Sequence, residues 1–111
     1  MRYRPLGNSG CKVSVLSVGS WMTFGGSVAE ETTNACVAAA IEGGVNLFDT
    51  ADIYDHGAAE TALAVALQPF RRQDLVLATK LFWPMTDHIN DRGLSRKHVM
   101  ESCHASLKRL G

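Results

Sequence analysis

The sequence is poor in the features that place a protein quickly. Its charges cancel, with 11 Lys and Arg against 11 Asp and Glu, so electrostatics gives no reason to expect nucleic acid or an anionic membrane as partner. The longest apolar run, near "CVAAAI" at 36–41, is far too short to cross a bilayer. The basic start "MRYRPLGNSG" has no apolar segment behind it, which removes a secretory signal. Cysteines are few, odd in number and widely spaced (Cys11, Cys36, Cys103), and read as reduced thiols of a cytosolic protein. There is no GxGxxG for a Rossmann dinucleotide site, and "GGSVAEE" lacks the GKS or GKT ending of a phosphate loop. His88, His98, Cys103 and His104 have no paired CxxC or HExxH spacing, so no metal site is read; His98 and His104 read as surface and helix-boundary residues. No repeat or low-complexity segment interrupts the 111 residues, which suit one domain at most.

What is present is an alternation. Gly7, Asn8 and Gly10 tolerate positive φ and predict a hairpin whose second arm runs into "VSVLSVG", a strand ending at Gly19. Ser27 and Glu30 have capping-box spacing, and Cys36, Ala39, Ala40 and Gly43 fall on one face of a helix that Gly43-Gly44 stops. "VNLFDT" reads as a strand, and "AAETALAVALQ" as a helix with Leu63, Ala66 and Leu67 on one face, closed by Pro69. "DLVLATKLFW" is a third run of strand length. After a loop at 84–93, a last helix starts at Ser95 and carries Val99, Cys103, Ser106 and Leu110 on one face. The order is a hairpin and three strand–helix units, which indicates a parallel α/β sheet with strands buried on both faces. Such a sheet has two open edges, and the expectation is the N-terminal piece of a larger domain.

In parallel α/β folds ligands gather at the C-terminal ends of the strands. The three predicted strands end in Ser20 and Trp21, in Asp49 followed by Tyr54, and in Lys80 followed by Phe82 and Trp83. They are expected to converge on one rim. A tyrosine, with an ordinary pKa near 10, donates a proton at neutral pH only if a neighbour stabilises the phenolate. A lysine ammonium does so, and a carboxylate beside the lysine keeps it charged. Asp49, Lys80 and Tyr54 have the makings of that relay. On spacing alone the commoner outcome is a structural Asp–Lys pair with a boundary tyrosine. Trp21, Phe82 and Trp83 read equally as core aromatics or as walls for a flat ligand.

The stretches "YRPLGNSGCKVSVLSVGSWMTFGG", "GVNLFDTADIYDHGAAE", "VLATKLFW" and "RGLSRKHVMESCHASLKRLG" resemble, in order, the N-terminal part of the aldo/keto reductases. "FDTADIY" and "ATK" carry the family, and "RGLSRKH" suggests the branch of the potassium-channel β-subunits and their bacterial relatives. The resemblance implies a (β/α)8 TIM barrel closed at the bottom by the hairpin, with NADPH across the top. It implies hydride transfer to an aldehyde or ketone, the small-molecule carbonyl substrate. Residue by residue, Asp49, Tyr54 and Lys80 match three of the four catalytic positions, with Tyr54 as proton donor. Ser20, Trp21 and Asp49 match cofactor-contacting positions. Ser20 stands where a threonine is common, and Ser27 where the channel subunits have a cofactor-contacting glutamine.

A barrel of this type needs about 250 residues, so the expectation is that residues 1–111 are its N-terminal portion, apparently truncated. The fourth catalytic residue and the grip on the adenosine phosphate would then lie past Gly111, and the chain alone would reduce no carbonyl and bind NADPH weakly at best. Two other readings stand beside the NADPH-dependent reductase. One is a nucleotide-sensing regulatory module like the channel β-subunits. The other is a decayed product whose open edges drive aggregation or a homo-oligomer.

Overall fold

The computed structural model describes all 111 residues. Strands β1 (Tyr3–Pro5) and β2 (Lys12–Ser14) form the hairpin, antiparallel with Tyr3 opposite Ser14. Strands β3 (Val18–Gly19), β4 (Leu47–Asp49) and β5 (Val76–Ala78) form a parallel sheet in that order. Helices α1 (Glu30–Glu42), α2 (Ala58–Leu67) and α3 (Arg96–Leu110) follow the three parallel strands in turn. The hairpin and three βα units are therefore those read from the sequence.

The single strand expected over 13–19 is instead two. Ser14 Oγ donates to Leu16 O at 2.6 Å and bends the chain, leaving Val15 and Leu16 exposed between β2 and β3. The bend frees the hairpin to lie beside the start of β4 rather than continue the sheet. Asn46 fixes it there. Its Oδ1 accepts from Ser14 N at 2.7 Å, its backbone N–H donates to Ser14 Oγ, and its Nδ2 donates to Lys12 O. Tyr3 Oη adds a bond to Gly44 O at 2.8 Å.

Burial is one-sided. Successive strand residues face opposite ways, and in β4 Phe48 is fully buried while Leu47 and Asp49 are half-buried. Phe48 joins Phe24, Val37, Val45, Leu63, Ala66, Leu67 and Leu75 in the apolar core. All of β5 is half-buried, so the expected burial of the strands on both faces is not observed. The 43 × 37 × 20 Å slab has the thickness of about two packed layers.

Two helix faces differ from the periodicity reading. In α1 the buried residues are Thr33 and Val37, with Ala40 and Ile41 against the core, while Cys36 and Ala39 are exposed. Apolar and small residues fill 36–40 so evenly that the pattern does not select a face, and contact with α2 does. In α3 the buried residues are His98, Ser102 and Ser106, and Cys103 is exposed. The helix buries a polar stripe, which a search for apolar periodicity misses. Ser27 caps nothing, because the N-cap of α1 is Ala29 with no side-chain bond. Ser95 does cap α3, its side chain accepting from His98 N.

With eight residues in the apolar core, one large side chain carries much of the stability. Phe48→Ala is expected to cost about 3–5 kcal/mol, a large share of the roughly 5–15 kcal/mol typical of a domain. Urea unfolding of the two chains measures it, and a loss below about 1 kcal/mol would show that Phe48 is not the core's centre.

Candidate active site

Parallel pairing brings the C-terminal ends of β3, β4 and β5 to one rim, with Gly19 opposite Asp49 and Asp49 opposite Ala78. Two further backbone bonds extend this alignment past the strands, from Thr50 N to Ala78 O and from Asp52 N to Lys80 O. Lys80 is thereby set beside both Asp49 and the turn after it. Its ammonium donates to Asp49 Oδ2 at 2.7 Å, to Thr50 O at 2.8 Å and to Tyr54 Oη at 3.1 Å. An ammonium has three hydrogens, and all three are used.

Tyr54 opens a short turn, Tyr54–Gly57, that leads directly into α2. Asp55 and His56 both have left-handed backbone, with φ of 48° and 49°. That costs of order 1–2 kcal/mol per residue for an L side chain, and Asp and His are among the types that tolerate it best. Gly57 follows at φ 91°. The sharp turn leaves the Tyr54 ring against Trp21, centroids 6.3 Å apart and planes 26° from parallel. Lys80 Nζ lies 4.8 Å from the same ring's centroid.

The segment after β3 supplies the other wall. Ser20 is almost wholly buried and donates to Thr50 Oγ1 at 2.8 Å, fixing the residue whose carbonyl receives Lys80. Gly25 packs on the first turn of α2, where a Cβ would lie 2.6 Å from Ala58 C and Ala59 N; only glycine fits this contact. Trp21 is 66% exposed, and Trp83 62%. Together with Ser20, Phe24, Ser27 and Tyr54 they line an open cleft of 580 Å³. Phe82 meets Trp83 edge to face at 5.5 Å. Trp21, Phe82 and Trp83, for which core and wall were both open, are thus exposed at the rim.

Burial works to lower the Lys80 pKa, but its hydrogen bonds to Asp49 and Tyr54 and their charges outweigh it, and the net shift is upward from 10.5. The lysine of the trio is therefore cationic at any physiological pH. Asp49 Oδ1 carries no hydrogen bond and remains an available acceptor.

Sequence reasoning missed a polar cluster behind this site. Asp52 is 1% exposed and neither carboxylate oxygen has a partner. Burial pushes its pKa up from 3.8 against the Ile53 N–H, the Glu60 charge adds to the rise, and Arg109 and His98 offset part of it. Glu60 is fully buried and paired with Arg109. A carboxylate three residues before Leu63 and seven before Leu67, on the apolar face of α2, was the available signal. His98, read as a surface residue, is 1% exposed, with Ser102 Oγ 3.3 Å from Nε2 and Asp91 Oδ1 3.6 Å from Nδ1. His104 is exposed.

The profile of the Aldo/keto reductase family matches residues 15–111. Among solved structures, the chain is similar to the aldo-keto reductase AKR11C1 from Bacillus halodurans in its holo form. The two share 32% identity with a TM-score of 0.84, over 99% of this chain and 36% of that one. It is also similar to a thermostable aldo-keto reductase solved with the inhibitor epalrestat, at 31% identity and a TM-score of 0.80 over 99% of this chain and 39% of that one. The chain thus spans less than two fifths of the length of these structures, and its three βα units correspond to part of their barrels.

Two measurements follow from the charges. Site-resolved NMR titration is expected to place Lys80 above 10.5, and Asp49→Asn to bring it down; an unchanged midpoint would dissolve the pair. For Asp52, folded and unfolded chains are both protonated below the ordinary 3.8, so no stability is lost there. As pH rises from that value to the raised folded one, the unfolded state gives up its proton first and the fold loses stability. The melting temperature of Asp52→Asn should therefore gain on the parent as pH rises from acid to neutral. A constant difference between the two would refute the assignment.

Proposed function

The chain belongs to the aldo/keto reductase family, and from that premise we propose that the protein carrying it is an NADPH-dependent oxidoreductase. It reduces aldehydes or ketones to alcohols by hydride transfer, with Tyr54 as proton donor. The observation that carries the reading is the Lys80 ammonium bonded at once to Asp49, Thr50 O and Tyr54 Oη.

The donor set fits the nicotinamide end of such a cofactor. A carboxamide NH2 is a donor, and the unbonded Oδ1 of half-exposed Asp49 is an acceptor. Trp21 offers an exposed indole on the cleft against which a flat ring can lie. Ser20 donates its hydroxyl hydrogen bond to Thr50 Oγ1, so it serves the cleft by shape and as an acceptor. When bound, the cofactor supplies the hydride. The chain's own residues supply the proton: the Tyr54 O–H bond breaks as a new O–H bond forms on the substrate oxygen. The phenolate left behind accepts from Lys80, whose positive charge stabilises it. Asp49 holds the ammonium in place and charged. The acid is thus set before substrate arrives, which is where such a group contributes most.

The stretch "RGLSRKH" at 92–98 supports a second reading, the branch of the potassium-channel β-subunits, with cofactor sensing in place of turnover. The decisive test is oxidation of NADPH by the protein with a panel of simple aldehydes and ketones. The expected result is turnover that Tyr54→Phe lowers by about 10²–10⁴-fold without weakening the cofactor. Full turnover in Tyr54→Phe would remove the proposed acid. Tight NADPH binding with no turnover would favour the sensing reading. The 111-residue chain by itself is expected to give none, since its cleft is open and both sheet edges are unpaired.

A further inference from the structure

We propose that the buried Glu60–Arg109 pair positions the Tyr54–Lys80 acid from behind, by fixing the two backbone segments that present those side chains. The inference rests on the reading of Tyr54 as proton donor, and it concerns residues that touch neither substrate nor cofactor.

Glu60 has no exposed surface, and each of its oxygens is committed to a different segment. Oε2 accepts from Arg109 Nε at 2.5 Å, tying α2 to the last turn of α3. Oε1 accepts from Thr79 Oγ1 at 2.6 Å. Thr79 is the residue before Lys80, and the backbone on either side of it is bonded to the β4 end through Ala78 O and Lys80 O. Fixing Thr79 therefore fixes the point from which the Lys80 side chain starts.

Arg109 acts on the other segment. A Cβ at Gly57 would meet Arg109 Cδ at 2.8 Å and Nε at 3.0 Å. The arginine stem thus lies flat against the end of the Tyr54–Gly57 turn, the strained segment that throws Tyr54 onto the rim. Ser106 steadies the guanidinium from within α3, Nη2 donating to its Oγ at 3.4 Å. One carboxylate and one guanidinium thereby link the Lys80 backbone, the Tyr54 turn and α3. A buried ion pair is weak evidence for stability, since apolar replacements often serve as well. Its directional bonds are what fix the relative placement of the two segments.

The test uses Thr79→Val first, because it removes the bond to Glu60 while leaving the Glu60–Arg109 pair and every charge in place. Glu60→Gln is the second variant, and Asp74→Asn, in the exposed pair with Arg71, is the control. NMR titration of Lys80 reads its contact with Asp49 and Tyr54 independently of turnover. The expected result is a lower Lys80 midpoint in Thr79→Val and Glu60→Gln and none in the control. In the active protein kcat should fall roughly 10–100-fold with little change in KM, the size expected of a small misplacement. If Thr79→Val only lowers the melting temperature, with kcat and the Lys80 midpoint unmoved, the pair is merely structural and the proposal is overturned. Should Glu60→Gln fail to fold, Thr79→Val alone decides. A protein that reduces no carbonyl yet shows the shifted Lys80 midpoint would sink the functional reading and leave the positioning role standing.

Discussion

The arrangement depends on one ammonium group. Lys80 Nζ has three hydrogens and three acceptors, taken from a strand end, a backbone carbonyl and a phenol. Two devices place those acceptors. Asp49 and Thr50 O are placed by the parallel β4–β5 ladder, which includes the bond of Thr50 N to Ala78 O, and Tyr54 by the left-handed turn. The strand register is the most demanding of these. A slip of one residue in β4 would turn Asp49 toward the helices and Phe48 toward the cleft, losing the carboxylate and the core together. The same alternation that buries Phe48 therefore aims Asp49 at the site.

The sheet accordingly has two different faces. Toward the helices the contacts are mostly apolar and non-directional, with the Glu60–Arg109 pair the main exception. Toward the rim they are few, polar and directional. The strained residues Asp55 and His56 sit where the second set begins, and strain of order 1–2 kcal/mol at each has to be held by contacts elsewhere. Gly25 against the first turn of α2, and Arg109 against Gly57, grip the turn from both sides. Neither contact is apolar side chain on apolar side chain, which explains how a small core can coexist with a strained site.

How far this was legible in the sequence varied with the kind of interaction. The βα order and the rim positions of Ser20, Asp49 and Lys80 followed from strand-length apolar runs, because parallel strands must end on the same side. Leu63, Ala66 and Leu67 were placed on one face of α2 by their spacing of three and four, and all three are buried. In α1 the pattern gave Cys36 and Ala39 where Thr33 and Val37 are buried, since five consecutive small or apolar residues carry no phase. In α3 it gave Cys103 because the buried stripe of His98, Ser102 and Ser106 is polar. That stripe faces a cluster whose key contact joins residues 49 positions apart, and no local pattern contains such a partner. The one-strand reading of 13–19 failed for a related reason: the bend at Leu16 comes from a serine hydroxyl, while the valines on either side argue for continuity.

Burial first, and the charge count second, shift the second carboxyl behind the site upward. Glu60 is neutralised by Arg109 at short range, and the arginine's other hydrogen bond goes to Ser106. Asp52, with no hydrogen bond to either side-chain oxygen, would add a second negative charge to a cluster holding one nearby fixed cation. Its burial and the Glu60 charge oppose that, and the Ile53 N–H and the charges of Arg109 and His98 do not overcome them. If Asp52 did ionise, it would compete with Glu60 for Arg109 and loosen the grip on Gly57, and with it the turn that carries Tyr54. The upward shift of Asp52 thus widens the pH range over which the Glu60–Arg109 bond is undivided. That shift follows from the surroundings of Asp52: away from water, one cation supports one carboxylate well and a second one poorly.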